Sequence, residues 1–440
     1  MKNADNPLEE TLTFERLIYG GEALARSSTG AVVFVPGAIP EEQAQVNITQ
    51  TKGSFWRGEI AELLKPSPHR VIPPCPYVPA CGGCQWQHID YSHQVEWKGK
   101  ILEEQLWRAD LLKGAGLELP LASPAPFNYR VRVQLKVKKT AKGYTLGYYG
   151  VKSHQVVDLE ACLVAHPAIN KAIKEIRQAL EGMVLPRELF SLELTYGSAD
   201  DAVLMALSWE GPLRPLKGVG EGLAARVSSL AGIVVFREAG GIIRQWERVS
   251  GQTWVRQRVG DYTFRQSFGS FFQVNVSAWA QLLDLVVSET ENPSWLAADL
   301  CCGVGFFTIP LAKVFQRVLA LEINPLAQED AEENCKKMKQ KNIAVYRDTA
   351  ENLRKYLNAG EEVDLIFLDP PRAGLSGRAV EELTKIGSKR LLYLSCNPST
   401  LARDLQRLKA HGYTLDKVYP LDLFPQTYHL EALASMKYKG

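Results

Sequence analysis

Leu296-Ala297-Ala298-Asp299-Leu300-Cys301-Cys302-Gly303-Val304-Gly305-Phe306-Phe307 is the stretch that decides the fold. A short apolar run carrying one acid enters a Gly-x-Gly turn. The next apolar run ends at Glu322, 19 residues beyond Gly303. Glycines there permit a tight turn and close approach of a ligand, and an acid at that spacing can accept both hydroxyls of a ribose. Further apolar runs at 343–346, 363–368 and 389–395 alternate with stretches of helical period at 325–341, 377–386 and 399–410. This alternation predicts βαβ units with right-handed crossovers and a mostly parallel, doubly wound sheet. The loop lacks the third glycine of a dinucleotide turn, because Phe306-Phe307-Thr308 follow Gly305. Asp299 would repel a pyrophosphate but suits a cationic amino-acid moiety. The expected ligand is therefore S-adenosylmethionine rather than NAD, lined by Asp299, Gly303, Gly305 and Glu322. Asp348 ends the third strand, where it can accept from the adenine amine, cap a helical turn with Glu351 three residues on, or both.

Open α/β sheets hold ligands at the carboxyl ends of their strands. The fourth strand ends Leu368-Asp369-Pro370-Pro371-Arg372, where two prolines set a rigid turn presenting Asp369. The fifth ends Leu394-Ser395-Cys396-Asn397-Pro398, a thiol at a strand mouth just before a helix. Helix N-termini and nearby cations lower a thiol pKa, so this position predicts an activated Cys396. Most single cysteines are only small hydrophobes, and the methyl donor beside this one shifts the balance. C5 of uracil is too weak a nucleophile to attack a sulfonium methyl directly. A thiolate adding at C6 makes an enolate that loads C5 with electron density. The C5 proton must then leave, and Glu431 in Tyr428-His429-Leu430-Glu431 is the candidate base. Amino-methyltransferases acting on adenine share the acid–Pro–Pro turn but follow it with an aromatic, where Arg372 stands here. DNA cytosine-C5 enzymes place Pro before the thiol, where Ser395 stands here. A non-catalytic RNA-binding protein is the third rival.

The 440 residues, 46% hydrophobic and 23% charged, suit a soluble globular chain of about two to four domains. A net charge of +2 gives no global case for nucleic acid, so such a case rests on local patches. Residues 12–65 alternate apolar and polar positions between turn residues and predict a small β-barrel. Pro66, Pro68, Pro73, Pro74 and Pro76 mark its end. Cys75, Cys81 and Cys84, with the distant Cys162, supply four thiols. In a reducing compartment these are metal ligands rather than disulfides, and their spacing suits an iron–sulfur cluster only slightly better than zinc. Cys301, Cys302 and Cys335 read as packing residues. From Tyr129, Arg130, Arg132, Lys136 and Lys138 alternate with Val131, Val133, Leu135 and Val137. Residues 128–157 hold seven Lys or Arg and no acid, which predicts an RNA-backbone surface. The expected domains are 1–66, 67–276 and 277–440. With no export signal in residues 1–7 and no apolar run long enough to cross a bilayer, a cytoplasmic protein without membrane contact is expected.

In this order, the motifs resemble the RNA uracil-C5 methyltransferases, ribosomal enzymes of the RlmD type and their transfer-RNA relatives. The matching residues are Cys75, Cys81-Gly82-Gly83-Cys84-Gln85, Cys162, Ser270-Phe271-Phe272-Gln273-Val274-Asn275, the Gly303 loop, Asp369-Pro370-Pro371-Arg372, Ser395-Cys396-Asn397-Pro398 and His429-Leu430-Glu431. The resemblance implies a multi-domain α/β protein. It would have an N-terminal TRAM-type barrel, a central β-rich domain with an iron–sulfur cluster, and a C-terminal class I (Rossmann-like) methyltransferase domain. It implies Cys396 as nucleophile and Glu431 as base, with Gln273, Glu322 and Asp369 lining the S-adenosylmethionine and uracil pocket. It also implies a [4Fe-4S] cluster on Cys75, Cys81, Cys84 and Cys162. Uracil methylation needs no electron, so that cluster reads as structural. The implied partner is RNA; the TRAM-type domain favours 23S ribosomal RNA over transfer RNA, and no obligate protein partner is expected of a monomer. Phe268, Phe271 and Phe272 are candidates to stack on bases. Cys301 departs mildly from the pattern, since an aromatic often stands before the Cys-Gly.

Overall fold

The computed structural model describes residues 8–53, 55–141, 143–186, 189–240, 242–290 and 294–439. Residues 1–7, where no export signal was read, lie outside them. The predicted doubly wound sheet has eight strands in the order Ile343–Tyr346, Phe315–Leu321, Ser294–Leu300, Leu365–Leu368, Arg390–Ser395, Glu431–Tyr438, Tyr413–Leu421 and Gly116–Leu117. The first five run parallel, whereas Glu431–Tyr438 lies antiparallel to both of its neighbours. The chain order reverses at Ser294–Leu300, the place where such sheets open a crevice for a ligand. Capping residues fix the helices that follow. Asn324 accepts from the Leu326 amide before helix Pro325–Lys337, and Asn397 accepts from the Ser399 and Thr400 amides before Pro398–Lys409. The Gly303 loop leads into only one helical turn, Thr308–Leu311, so no long helix dipole faces the ligand.

Five strands, Glu9–Leu17, Glu22–Arg26, Val32–Pro36, Gln43–Lys52 and Phe55–Lys65, close into the predicted barrel. Leu12, Phe14, Ala23, Ala25, Val33, Val35, Ala44 and Val46 fill it from alternate positions. The central region holds a seven-stranded sheet in the order Ile242–Gly251, Leu230–Ala239, Ala202–Trp209, Phe190–Gly197, Arg132–Thr140, Gly143–Tyr149 and Val156–Asp158. Val133, Leu135 and Val137 are buried, as the alternation predicts. The basic face is partly answered from across the sheet, however. Arg132 pairs with Glu193 at 2.8 Å, and Lys136 donates to Ser191 Oγ at 2.6 Å. A count along one segment cannot see acids that a neighbouring strand supplies.

The apolar cores cross the boundaries between these units. One core joins the barrel interior, Trp86 and helix Tyr91–Arg108 to one face of the eight-stranded sheet. Another joins the seven-stranded sheet to the opposite face. The barrel is thus packed onto the catalytic sheet by shared burial rather than tethered to it. No helix among the described residues is long and apolar enough to cross a membrane.

Candidate active site

At the switch point, Gly303 (φ +56°) and Gly305 (φ +86°) occupy left-handed backbone, and Cys301 does so without being glycine (φ +64°). A Cβ at Gly303 would meet only the Phe271 carbonyl, 3.7 Å away, so open space lies over the turn. The Gly303 amide donates to one Glu322 oxygen at 2.9 Å and the Asn324 amide donates to the other at 2.7 Å. These bonds hold the carboxylate in place at the loop. Asp299 is fully buried; Thr308 donates to its Oδ2 at 2.5 Å, while Oδ1 has no partner. Burial pushes the Asp299 carboxyl up to about 7, with the Glu322 charge adding to the rise and Thr308 opposing it. A buried acid with a free oxygen beside a glycine cradle fits the cationic end of S-adenosylmethionine. Asp348 is already engaged: it accepts from Asn352, Tyr356 and Lys355 at 2.6, 2.8 and 3.2 Å. Those bonds hold its carboxyl well below the usual range.

The next two strand ends converge with the last hairpin. The Gln273 side-chain amide donates to Asp369 Oδ2 at 3.2 Å, and the Gln273 main-chain carbonyl accepts from the buried Trp279 indole at 2.8 Å. Burial pushes the Asp369 carboxyl well up, helped by the charges of Glu431 and Asp299. Glu431 is buried and pushed up to about 7 by burial, with Arg372 opposing. Asp369, Glu431 and Arg372 all act on the half-buried Cys396 thiol. Here the expectation of a lowered thiol pKa is corrected. Burial and the charges of Glu431 and Asp369 push the thiol up, against the pull of Arg372. The guanidinium is itself anchored, donating to His429 Nδ1 at 2.8 Å. Burial and the surrounding cations press the His429 pKa down to about 4, which leaves a neutral imidazole to accept that bond. Neither the Arg372–His429 pair nor its place beside the thiol was read from the sequence, because the two residues are 57 positions apart.

A cavity of about 1010 Å³ opens beside the turn that follows Glu322, its wall including Phe271, Ile323, Asn324 and Trp246. Of the three phenylalanines named as base-stacking candidates, Phe271 is 55% exposed, while Phe268 and Phe272 are 2% exposed core residues.

Residues 90–438 match the family described as tRNA (Uracil-5-)-methyltransferase, and residues 9–61 match the TRAM domain. This chain belongs to the tRNA (uracil-5-)-methyltransferase family. Its relatives include an RNA methyltransferase of Aquifex aeolicus, 35% identical over 99% of both chains. The 23S rRNA (uracil(1939)-C(5))-methyltransferase RlmD of Pectobacterium atrosepticum is 33% identical, over 96% of this chain and 92% of its own. The solved tRNA (uracil-54, C5)-methyltransferase of Pyrococcus abyssi, in complex with S-adenosyl-L-homocysteine, shares the fold. It has a TM-score of 0.72 at 24% identity, over 97% of this chain and 99% of its own. The protein is an S-adenosylmethionine-dependent RNA uracil-C5 methyltransferase with an N-terminal TRAM barrel.

The four cysteines expected to bind a cluster lie together at the edge of the central sheet. Cys75, Cys81 and Cys162 are near enough for their charges to raise the Cys84 thiol, which burial pushes up to about 12. Among the described residues, no three His, Cys, Asp or Glu side chains converge tightly enough to hold a metal ion. The donors around the sulfurs nevertheless suit thiolates. The Gly83 amide donates to Cys81 Sγ at 3.4 Å, and the Val164 and Ala165 amides act on Cys162 in the same sense. The segment also touches the loop that leads to Glu431. The Gln85 and Trp86 amides donate to the Gln426 carbonyl at 3.1 and 3.0 Å, five residues before Glu431. Lys98 and Asp422, both buried, pair at 2.6 Å and tie helix Tyr91–Arg108 to the same loop. That pair joins residues 324 positions apart, beyond the reach of motif reading.

Proposed function

We propose that Cys396 and Glu431 carry the reaction through a covalent uracil adduct. The observation that carries this reading is that the thiol, a cation and two raised carboxyls stand at adjoining strand ends, close enough for their charges to act on one another. Cys396 loses its proton to solvent beside the Arg372 cation, the thiolate Sγ bonds to C6, and the C5–C6 electron pair moves onto the conjugated carbonyl as an enolate. S-adenosylmethionine, when bound, supplies an electrophilic methyl carbon. Once C5 has gained it, Glu431 in its ionised form removes the C5 proton. The freed pair restores the double bond and expels the Cys396 thiolate. Arg372 favours that thiolate both as it forms and as it leaves. Asp369, kept protonated, and the Gln273 amide are donors for the uracil carbonyls, including the developing enolate oxygen. Asp299, Gly303, Gly305 and Glu322 hold the methyl donor. Phe271 offers the exposed ring on which the flipped base stacks.

Cys75, Cys81, Cys84 and Cys162 would hold a [4Fe-4S] cluster, which supplies four covalent ties and no step of the chemistry. Its support is the four-thiol donor set with amides directed at sulfur. Its role is to brace the loop before Glu431 through Gln85 and Trp86. The domains divide near 66 and 276, the protein acts as a cytoplasmic monomer, and its target is a uridine of 23S ribosomal RNA. The RlmD relatives and the TRAM barrel support that target. The experiment is to map 5-methyluridine in ribosomal and transfer RNA from a deletion strain. Loss at one ribosomal site is expected; loss confined to transfer RNA would overturn the assignment.

A further inference from the structure

The turn between the barrel's first two strands, Ile18-Tyr19-Gly20-Gly21, reaches across to the catalytic strand ends. The Tyr19 hydroxyl donates to the Cys396 carbonyl at 3.4 Å. Its ring meets Tyr428 edge-to-face, with centroids 5.6 Å apart and planes at 88°. Gly21, at φ +89°, packs so closely that a Cβ there would lie 3.1 Å from Tyr428 Cδ1 and 3.4 Å from Gln85 Cβ. The indole of the buried Trp86 donates to the Gly21 carbonyl at 3.3 Å, which fixes the turn from behind. Arg372 bridges the pieces: its guanidinium acts on both the Tyr19 phenol and the Cys396 thiol while donating to His429. A barrel that served only as a distant RNA handle would need none of these contacts.

We propose that the TRAM barrel completes the active site, with Tyr19 as a positioning residue that holds Arg372 and the Cys396 main chain in register for attack on uracil. The phenol oxygen can accept from the guanidinium while its hydrogen goes to the Cys396 carbonyl, so one group sets both the cation and the strand end. The inference rests on Cys396 being the nucleophile. The charged and titratable groups facing that thiol are Arg372, Glu431, Asp369 and Tyr19, with His429 behind Arg372. Removing the phenol oxygen frees Arg372 and weakens its pull on the thiolate.

The test is Tyr19→Phe in the full-length holoenzyme, which keeps the ring packing and removes only the oxygen. We expect kcat to fall roughly tenfold, the scale of one hydrogen bond to a charged group, with KM for RNA unchanged. Alkylation of Cys396 by iodoacetamide, read peptide by peptide, should also move to higher pH. Gly21→Ala, which pushes the turn off Tyr428 while keeping the phenol, should give a milder loss of the same kind. Wild-type kcat and alkylation profile in Tyr19→Phe would overturn the proposal, as would a rise in KM alone, which marks a simple RNA contact. Cys396→Ala is run alongside. Retained turnover there would defeat the nucleophile assignment itself, whatever Tyr19 does.

Discussion

On the function proposed above, the two thiol neighbourhoods of this protein use the same side chain for opposite ends. Cys396 sits among a mobile proton inventory: Glu431 and Asp369 with raised carboxyls, and Arg372 held by a neutral His429. Cys75, Cys81, Cys84 and Cys162 sit among one another, with main-chain amides directed at sulfur and the Tyr148 phenol and Arg130 cation also acting on Cys162. Surroundings, rather than the thiol, decide between a group that attacks and leaves and a group that binds and stays. The contrast also explains why the Cys396 thiol can be raised rather than lowered. A nucleophile that must also depart is served by a cation poised beside it and by a substrate that displaces water, not by permanent ionisation.

The comparison breaks most severely if the two sites are interchangeable. Cys396→Ala should lower turnover by at least about 10⁴-fold in a methyl-transfer assay. Its iron content and thermal midpoint should stay at wild-type values. Next in size, Glu431→Gln should slow turnover by roughly 10³-fold and leave methylated RNA attached to the protein, because addition no longer has a base to complete elimination. Denaturing gels of the quenched reaction would show the retained adduct. Cys81→Ser should do the reverse of Cys396→Ala. Metal analysis should show lost iron, and the thermal midpoint should fall by at least several °C, on the order expected when a structural metal tie is removed. The smallest effect is on pH. Glu431, pushed up to about 7, serves as a base only when ionised. Turnover should therefore rise as pH increases through about 7 and fall about tenfold per unit below it. Iron content should stay level over the same range.

Much of the first neighbourhood was legible because its chemistry lies at the ends of short local patterns. Gly303 and Glu322 are one strand–turn–strand apart, and Asp369 and Cys396 each end an apolar run. What was illegible comes from pairings between distant elements. The upward shift of Cys396 comes first from burial and then from Glu431 on the last strand, the anchored cation needs His429 beside Arg372, and Arg132 meets Glu193 only through sheet register. Asp348 looked like an open acceptor from its position, yet its oxygens are occupied within its own turn. The barrel was readable as a barrel from alternation, but its contact with the nucleophile through Tyr19 was not. Alternation reports which face is buried and is silent about what lies across the gap.

The most direct test of the account uses RNA carrying 5-fluorouridine at the target position. Fluorine at C5 leaves Glu431 no proton to remove, so addition and methyl transfer proceed and elimination stops. The account predicts a stable protein–RNA adduct in the presence of S-adenosylmethionine, with the modified peptide containing Cys396, and no adduct in Cys396→Ala. An adduct mapped to another residue, or none from an enzyme that fully methylates the ordinary uridine RNA, would contradict it.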